Sequence, residues 1–165
     1  MNPLKITALS FVITLASIVT VKAQTALSKP VNAVITNYLA LKDALVSGDG
    51  AAAETKARTL LTGIDDIPKA GLSADEAALL PKSEFDSRHI SEVNKIAHQR
   101  EHFASLSNNL YALVKKLKLN NTILYRQYCT MTKAYYLSET DKGKDPYMGM
   151  ANCSKVTETL PPAKK

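Results

Sequence analysis

A long amphipathic stretch over residues 95–117 is the feature that most constrains how this chain can fold. Its large apolar residues are spaced by three, four and seven positions: Ile96, Phe103, Leu106, Leu110, Leu113 and Leu117. That spacing places them on one face of an α-helix, and a helix with one apolar face has to bury that face against other elements. The stretch therefore predicts a helix of about six turns that packs into a larger helical core.

Three shorter segments with helical periodicity precede this stretch, and turn-forming residues separate them. They cover residues 31–46, 51–64 and 83–93. Because four helices joined by short loops commonly pack as neighbours running in opposite directions, the pattern favours an antiparallel four-helix bundle. We therefore expect a mainly α fold built on that bundle.

Several short-range signals predict where helices begin. Ser73 followed by Glu76 has the pattern of a capping box, in which each side chain bonds to the other residue's backbone amide. Pro81 is expected to interrupt or restart the helix that Ser73 begins. Asn94 precedes the long helix and is a candidate for its N-cap.

The pattern changes after residue 118, where helical periodicity stops. Short runs rich in tyrosine and other strand-forming residues follow a turn at Asn120 and Asn121. They cover residues 123–129, 134–138 and 155–160. We therefore expect a small β-rich appendix at the C-terminal end of the helical domain.

The first residues have the pattern of a secretory signal peptide. Lys5 precedes an apolar run over residues 6–21, and Val21 and Ala23 occupy the small-residue positions of a cleavage site. We predict cleavage after Ala23, so that residues 1–23 are removed and residues 24–165 form one domain. The predicted location of that domain is the periplasm.

The overall charge gives no indication of a nucleic-acid partner. The formal charge is +6, and removal of residues 1–23, which hold two lysines and no acid, lowers it to +4. The basic residues are scattered along the chain, and an exported protein rarely meets nucleic acid. We interpret the charge as a contribution to solubility.

The sulfur-containing residues are concentrated near the C-terminus. Apart from the first residue, all of them lie in one short stretch: Cys129, Met131, Met148, Met150 and Cys153. Thiolate and thioether ligands prefer soft ions such as Cu(I) over hard cations. In an extended segment residues i and i+2 point the same way, so Cys129 and Met131 would face one point. The stretch therefore indicates a soft-metal site.

A structural disulfide is an equally good interpretation of the two cysteines. Paired thiols oxidise readily outside the cytoplasm. A Cys129–Cys153 bond would close a loop of about 25 residues and contribute roughly 3 kcal/mol to stability. The sequence leaves the choice between a metal site and a disulfide open.

The histidines give a weaker metal signal. His98 and His102 are four residues apart on the long helix, so they share a face and both are candidate ligands. Such pairs are more often ordinary surface or boundary residues. Gln99 stands where a zinc metalloprotease helix has glutamate, and the chain carries neither a phosphate-binding glycine loop nor a nucleophile elbow. We therefore expect no enzymatic activity.

Taken together, the residues resemble the family called domain of unknown function 3347. The segments that carry the resemblance are residues 38–45, 98–107, 110–113, 125–131, 136–139, 145–149 and 150–153. Thr130 stands where the family usually has proline, Tyr136 where tryptophan is common, and Ser154 where glycine is usual. The sulfur positions of the family pattern are kept.

The resemblance implies an exported protein from a Gram-negative bacterium. Some members of the family are single domains, and others are fused to periplasmic adaptor subunits of heavy-metal efflux pumps. It therefore implies copper or silver handling, with an efflux pump or its periplasmic adaptor as the expected partner.

Two hypotheses follow from the residues and the resemblance together. The first is a periplasmic protein that binds Cu(I) or Ag(I) and sequesters it or passes it to an efflux system. Its expected primary ligands are Cys129, Met131 and Cys153, and the residues expected to complete the shell are His102, Met150 or His98. The second is a helical interaction module without metal, stapled by a Cys129–Cys153 disulfide.

Overall fold

The structure is a computed structural model that describes residues 26–150 and 153–164. Five helices make up most of this part of the chain. They are α1 (residues 26–47), α2 (Gly50–Asp65), α3 (Ala74–Ala77), α4 (Leu79–Glu92) and α5 (Ile96–Leu117). None of the described helices combines the length and the apolarity that a membrane span needs. The mainly α prediction is confirmed, while the predicted signal peptide, residues 1–23, lies outside the described residues.

The predicted start signals around α3 and α4 are confirmed. The Ser73 hydroxyl accepts a hydrogen bond from the Glu76 amide, and the Glu76 carboxylate accepts one from the Ser73 amide at 2.7 Å. α3 lasts a single turn, and α4 begins at Leu79 with Pro81 as its third residue. A proline is tolerated there because amides of the first turn have no intrahelical partner.

The predicted cap of the long helix is wrong. Lys95, not Asn94, occupies the N-cap position of α5, and it makes no side-chain capping bond. The corner between α4 and α5 is held from inside by the buried Gln99, whose Nε2 donates to the carbonyls of Val93 at 2.6 Å and Gly50 at 2.9 Å. This side chain, one turn into α5, therefore fixes the corner.

The predicted apolar face of α5 forms part of the core. Its central residues are fully or almost fully buried: Phe103, Leu106, Leu110 and Leu113. The two apolar residues near its ends, Ile96 and Leu117, are only partly buried. α4 packs against both α2 and α5, and α5 packs against strand β2, described below. Burial of this face joins the helices and the sheet in one core.

Three antiparallel strands follow the helices, as predicted. They are β1 (Leu124–Cys129), β2 (Ala134–Ser138) and β3 (Ser154–Leu160), in the order β2-β1-β3. Cys129 pairs with Ala134 on one side and with Ser154 on the other. This register brings the end of β1 beside the start of β3.

A buried tyrosine connects the sheet to the helices. The Tyr38 hydroxyl, from α1, lies 2.8 Å from the Ser107 hydroxyl of α5 and accepts a hydrogen bond of 3.0 Å from the Leu137 amide of β2. Its ring stacks on Phe103 with a centroid distance of 5.1 Å. The sheet is therefore held in a fixed position against α1 and α5, and so is the site at its edge.

Candidate metal centre

The two cysteine side chains meet at the edge of the sheet. Cys129 is the last residue of β1 and is fully buried, while Cys153 directly precedes β3 and is partly buried. The two Sγ atoms are 3.2 Å apart and both thiols are free. The Thr130 amide also donates to the Cys153 carbonyl at 3.3 Å. The strand register thus places two soft donor atoms side by side, with no disulfide bond between them.

Asp145 is the third member of this site, and sequence reasoning missed it. Its carboxylate and the two sulfurs supply three ligand atoms that lie within 4.8 Å of one another, and Asp145 is fully buried. Among the described histidines, cysteines and acids, this is the group of three that comes together in this way. The signal available in the sequence was an acid directly before Pro146, between the two sulfur-bearing segments.

Asp145 also organises the loop to which it belongs, over residues 145–150. Its Oδ1 accepts hydrogen bonds of 2.9 Å from the amides of Tyr147 and Met148. Its backbone carbonyl accepts one of 2.8 Å from Gly149, and its amide donates to the Met150 carbonyl at 2.9 Å. The loop is therefore a closed turn with Asp145 at its base.

Gly149 allows this turn to lie against α1. Its φ is +69°, a left-handed conformation that residues with a side chain rarely adopt. A Cβ added there would lie 2.9 Å from the Val46 carbonyl oxygen. Glycine is thus needed both for the backbone angle and for the close approach.

The second carboxylate oxygen of Asp145 bonds to the residue that follows Cys153. Oδ2 accepts a hydrogen bond of 3.2 Å from the Ser154 hydroxyl, which itself lies 3.6 Å from the Cys153 sulfur. The two oxygens therefore have separate partners, because Oδ1 holds the turn and Oδ2 bonds to the residue next to Cys153.

Arg100 places a positive charge next to this loop. Its Nε donates to the Pro146 carbonyl and its Nη2 to the Leu45 carbonyl, both at 2.8 Å. Partial burial lowers the pKa of Arg100, and the nearby negative charge of Asp145 acts in the opposite direction. Arg100 thus joins α1, α5 and the loop, with Asp145 close enough to interact electrostatically.

Burial keeps the Cys153 thiol and the Tyr136 hydroxyl protonated at neutral pH. Desolvation, together with the contact with Cys129, raises the pKa of Cys153 to about 11. Burial also raises the pKa of Tyr136 to about 12, helped by the nearby charges of Asp145, Cys153 and Cys129. At neutral pH Cys153 is therefore a neutral thiol, which has to release its proton to bind a metal.

The methionines lie in exposed turns. Met131 is in the four-residue turn between β1 and β2, and 59% of its surface is exposed, whereas Cys129 is fully buried. β1 ends at Cys129, so the extended geometry that would align Cys129 with Met131 is absent. Met148 and Met150 flank Gly149 in the loop, and each is 41% exposed.

The histidines gather in a separate cluster between α4 and α5. The His102 ring stacks on His89 with a centroid distance of 4.6 Å and meets His98 edge-on at 4.8 Å. Its Nδ1 lies 3.1 Å from Oδ1 of the buried Asp86. Of the residues predicted to complete the shell, the structure thus groups His98 and His102 with Asp86, whereas the acid next to the cysteines is Asp145.

The fold and the site define a class: a mainly helical domain with a small C-terminal sheet and a buried Cys–Asp–Cys group. The chain belongs to the family described as protein of unknown function (DUF3347), whose family model matches residues 34–122. A search of curated proteins and a search of solved structures found no match. The family match ends before β1, so Cys129, Asp145 and Cys153 lie outside the matched residues.

Proposed function

We propose that this protein binds a soft monovalent metal ion, Cu(I) or Ag(I), between Cys129 and Cys153. The single observation that supports this most is the meeting of two free thiols, with sulfurs 3.2 Å apart, at one buried edge of the sheet. Thiolate sulfur is the ligand type that such ions prefer. Each sulfur that binds the ion releases its proton to solvent, so binding is coupled to loss of the thiol protons.

Further ligands for a Cu(I) ion would come from the exposed methionines. Met131 lies in the turn after Cys129, and Met150 lies in the loop whose base is Asp145. Both side chains are exposed and flexible enough to reorient towards a metal. The proposal does not use His98 and His102, because His102 is already held by Asp86.

We infer that the helices act as the scaffold of this site. In this proposal α1, α2, α4 and α5 form an antiparallel four-helix bundle, and the sheet is anchored to it through Tyr38. The N-terminal signal-peptide pattern and the family resemblance support a periplasmic location for the domain. The protein would there sequester the ion or pass it to a heavy-metal efflux pump or its adaptor.

A second candidate function is favoured by the same sulfur contact. Two thiols this close would form a disulfide after modest movement, and the protein would then be an interaction module stapled between β1 and β3. The number of free thiols in protein isolated from its native compartment separates the two functions. Zero free thiols, unchanged by a metal chelator, favours the stapled module.

The metal proposal is tested by anaerobic titration of the reduced protein with Cu(I) in competition with a chromogenic chelator. We expect one tightly bound ion per chain, and an affinity at least about 100-fold lower in Cys153→Ser, the variant of the less buried cysteine. Val156→Ala, an exposed change three residues further along the chain in β3, is the matched control and should bind like the wild type. Equal binding by Cys153→Ser and wild type would refute the proposal.

A further inference from the structure

We propose that Asp145 is a metal ligand that determines selectivity, so that the site also takes a divalent ion of mixed sulfur and oxygen preference, for which Zn²⁺ is the probe. This inference rests on the proposed function, because it uses the same two sulfurs. It adds a third ligand, Oδ2 of Asp145, and a second class of ion.

The hydrogen bonds of Asp145 leave one oxygen available. Oδ1 is engaged by the amides of Tyr147 and Met148, whereas among residues 26–150 and 153–164 the donor to Oδ2 is the Ser154 hydroxyl. A carboxylate oxygen has two lone pairs, so Oδ2 retains one for an ion. Ligation by Oδ2 leaves the turn intact, because the turn depends on Oδ1.

The separation of the sulfurs is closer to what a tetrahedral ion needs than to what a linear one needs. Two sulfurs at the Zn–S distance of about 2.3 Å are about 3.8 Å apart around a tetrahedral ion and about 4.6 Å apart around a linear one. The observed separation is 3.2 Å. The site has to open less for a tetrahedral ion, which needs the third ligand that Asp145 supplies.

The balance of charges at the Cys–Asp–Cys group also favours a divalent ion. Two thiolates and the Asp145 carboxylate carry three negative charges, and the guanidinium of Arg100 beside the loop carries one positive charge. A divalent ion makes the group neutral, whereas a monovalent ion leaves one negative charge. An uncompensated charge is unfavourable where the surrounding protein excludes most of the water.

The chemistry of the donors is consistent with both ions. Zn²⁺ binds cysteine sulfur and aspartate oxygen, and it often keeps a fourth position for water. Cu(I) and Ag(I) depend mainly on the sulfurs. Loss of the carboxylate charge should therefore weaken Zn²⁺ binding strongly and Cu(I) binding little.

The test compares Asp145→Asn with the wild type, using the full reduced protein without oxygen. Asparagine can still accept hydrogen bonds from the two loop amides, so the turn should be preserved. We expect the Zn²⁺ affinity to fall about 10- to 100-fold while the Cu(I) affinity stays within about threefold. Asp141→Asn, an exposed acid earlier in the same connection, is the matched control and should bind both ions like the wild type.

The outcomes separate this inference from the proposed function. Equal Zn²⁺ affinity in Asp145→Asn and wild type, or Cu(I) binding without Zn²⁺ binding, overturns the role of Asp145 and leaves the copper proposal standing. Failure of the wild type to bind either ion overturns both.

A second measurement covers the case in which the variant does not fold. In the wild type, Zn²⁺ should shift the ¹³C resonance of the Asp145 side-chain carboxyl and leave that of Asp141 in place. An unshifted Asp145 resonance at full occupancy would overturn the inference.

Discussion

Cys129 at the end of β1 pairs with Ser154 at the start of β3, and this register is what brings Cys153 to within 3.2 Å of Cys129. A slip of one residue would turn Cys129 towards the opposite face of the sheet. The loop of residues 145–150 then supplies Asp145 from the connection between β2 and β3. The site is therefore a product of sheet pairing and of one closed turn.

The first prediction concerns the loop. Gly149→Ala should lower the free energy of unfolding by about 1–2 kcal/mol, because alanine is strained at positive φ. The added methyl group would also press on the Val46 carbonyl oxygen. Chemical denaturation monitored by circular dichroism measures the change.

Gly48→Ala is the matched control for this loop variant. Gly48 also has a positive φ, +74°, but apart from its chain neighbours no atom of the described part of the chain lies within 4 Å of the added Cβ. It should therefore show the backbone strain without the contact. If both variants lose the same stability, and Gly149→Ala keeps full metal affinity, the loop is not docked as described.

The second prediction concerns pH. Because burial raises the pKa of Cys153 to about 11, its proton competes with a metal throughout the neutral range. The affinity for Cu(I) should therefore rise by about tenfold per pH unit for this thiol alone. Competition titrations between pH 6 and 8, corrected for the chelator's own protonation, measure the slope. An affinity that does not change with pH would mean that Cys153 keeps its proton and does not bind the ion.

Much of the scaffold was predictable because its signals are local. The apolar face of α5, the capping box at Ser73 and the three strands each depend on residues close in the sequence. Asn94 was predicted to cap α5, but a buried glutamine from inside the helix fixes that corner instead. Local cap patterns cannot anticipate a side chain that satisfies carbonyls of two other segments.

The site was only half predictable, for a similar reason. The sulfur cluster identified Cys129 and Cys153, but Asp145 becomes a site residue only when its loop docks on α1 and Arg100. Those contacts join segments about 50 to 100 positions apart along the chain. Helical spacing correctly placed His98 and His102 on one face, yet it could not show that Asp86 from α4 would hold His102.

The third prediction concerns the histidine cluster. His102→Ala removes the main partner of the buried Asp86 carboxylate, so it should lower stability by about 1–3 kcal/mol. The Cu(I) affinity should stay within about threefold, because the cysteines do not use this ring. His98→Ala, at a more exposed position, is the control and should change stability by less than about 0.5 kcal/mol. A tenfold loss of Cu(I) affinity in His102→Ala would restore His102 to the ligand set.

The fourth prediction concerns alkaline stability. The pKa of Tyr136 is raised from 10.0 to about 12 by burial, so between these values the folded chain keeps a proton that the unfolded chain loses. The contribution of Tyr136 to the free energy of unfolding should therefore be complete below pH 10. It should decrease as the pH rises towards 12. Tyr136→Phe should show a shallower fall, while Tyr128→Phe, which keeps Tyr136, should follow the wild type. Identical slopes in all three proteins would contradict the burial of the Tyr136 hydroxyl.

The central claim, that Cys129 and Cys153 together hold a soft metal ion, is tested most directly by counting accessible thiols by mass spectrometry. Protein that is reduced, unfolded and then alkylated should carry two added groups. Native protein without metal should react at Cys153, which is partly exposed, once the alkylation lasts long enough for its mostly protonated thiol to react. Native protein with one equivalent of Cu(I) should carry no added group after the same alkylation time. If Cu(I) binds and Cys153 is alkylated at the metal-free rate, the two cysteines are not the ligands and the account is wrong.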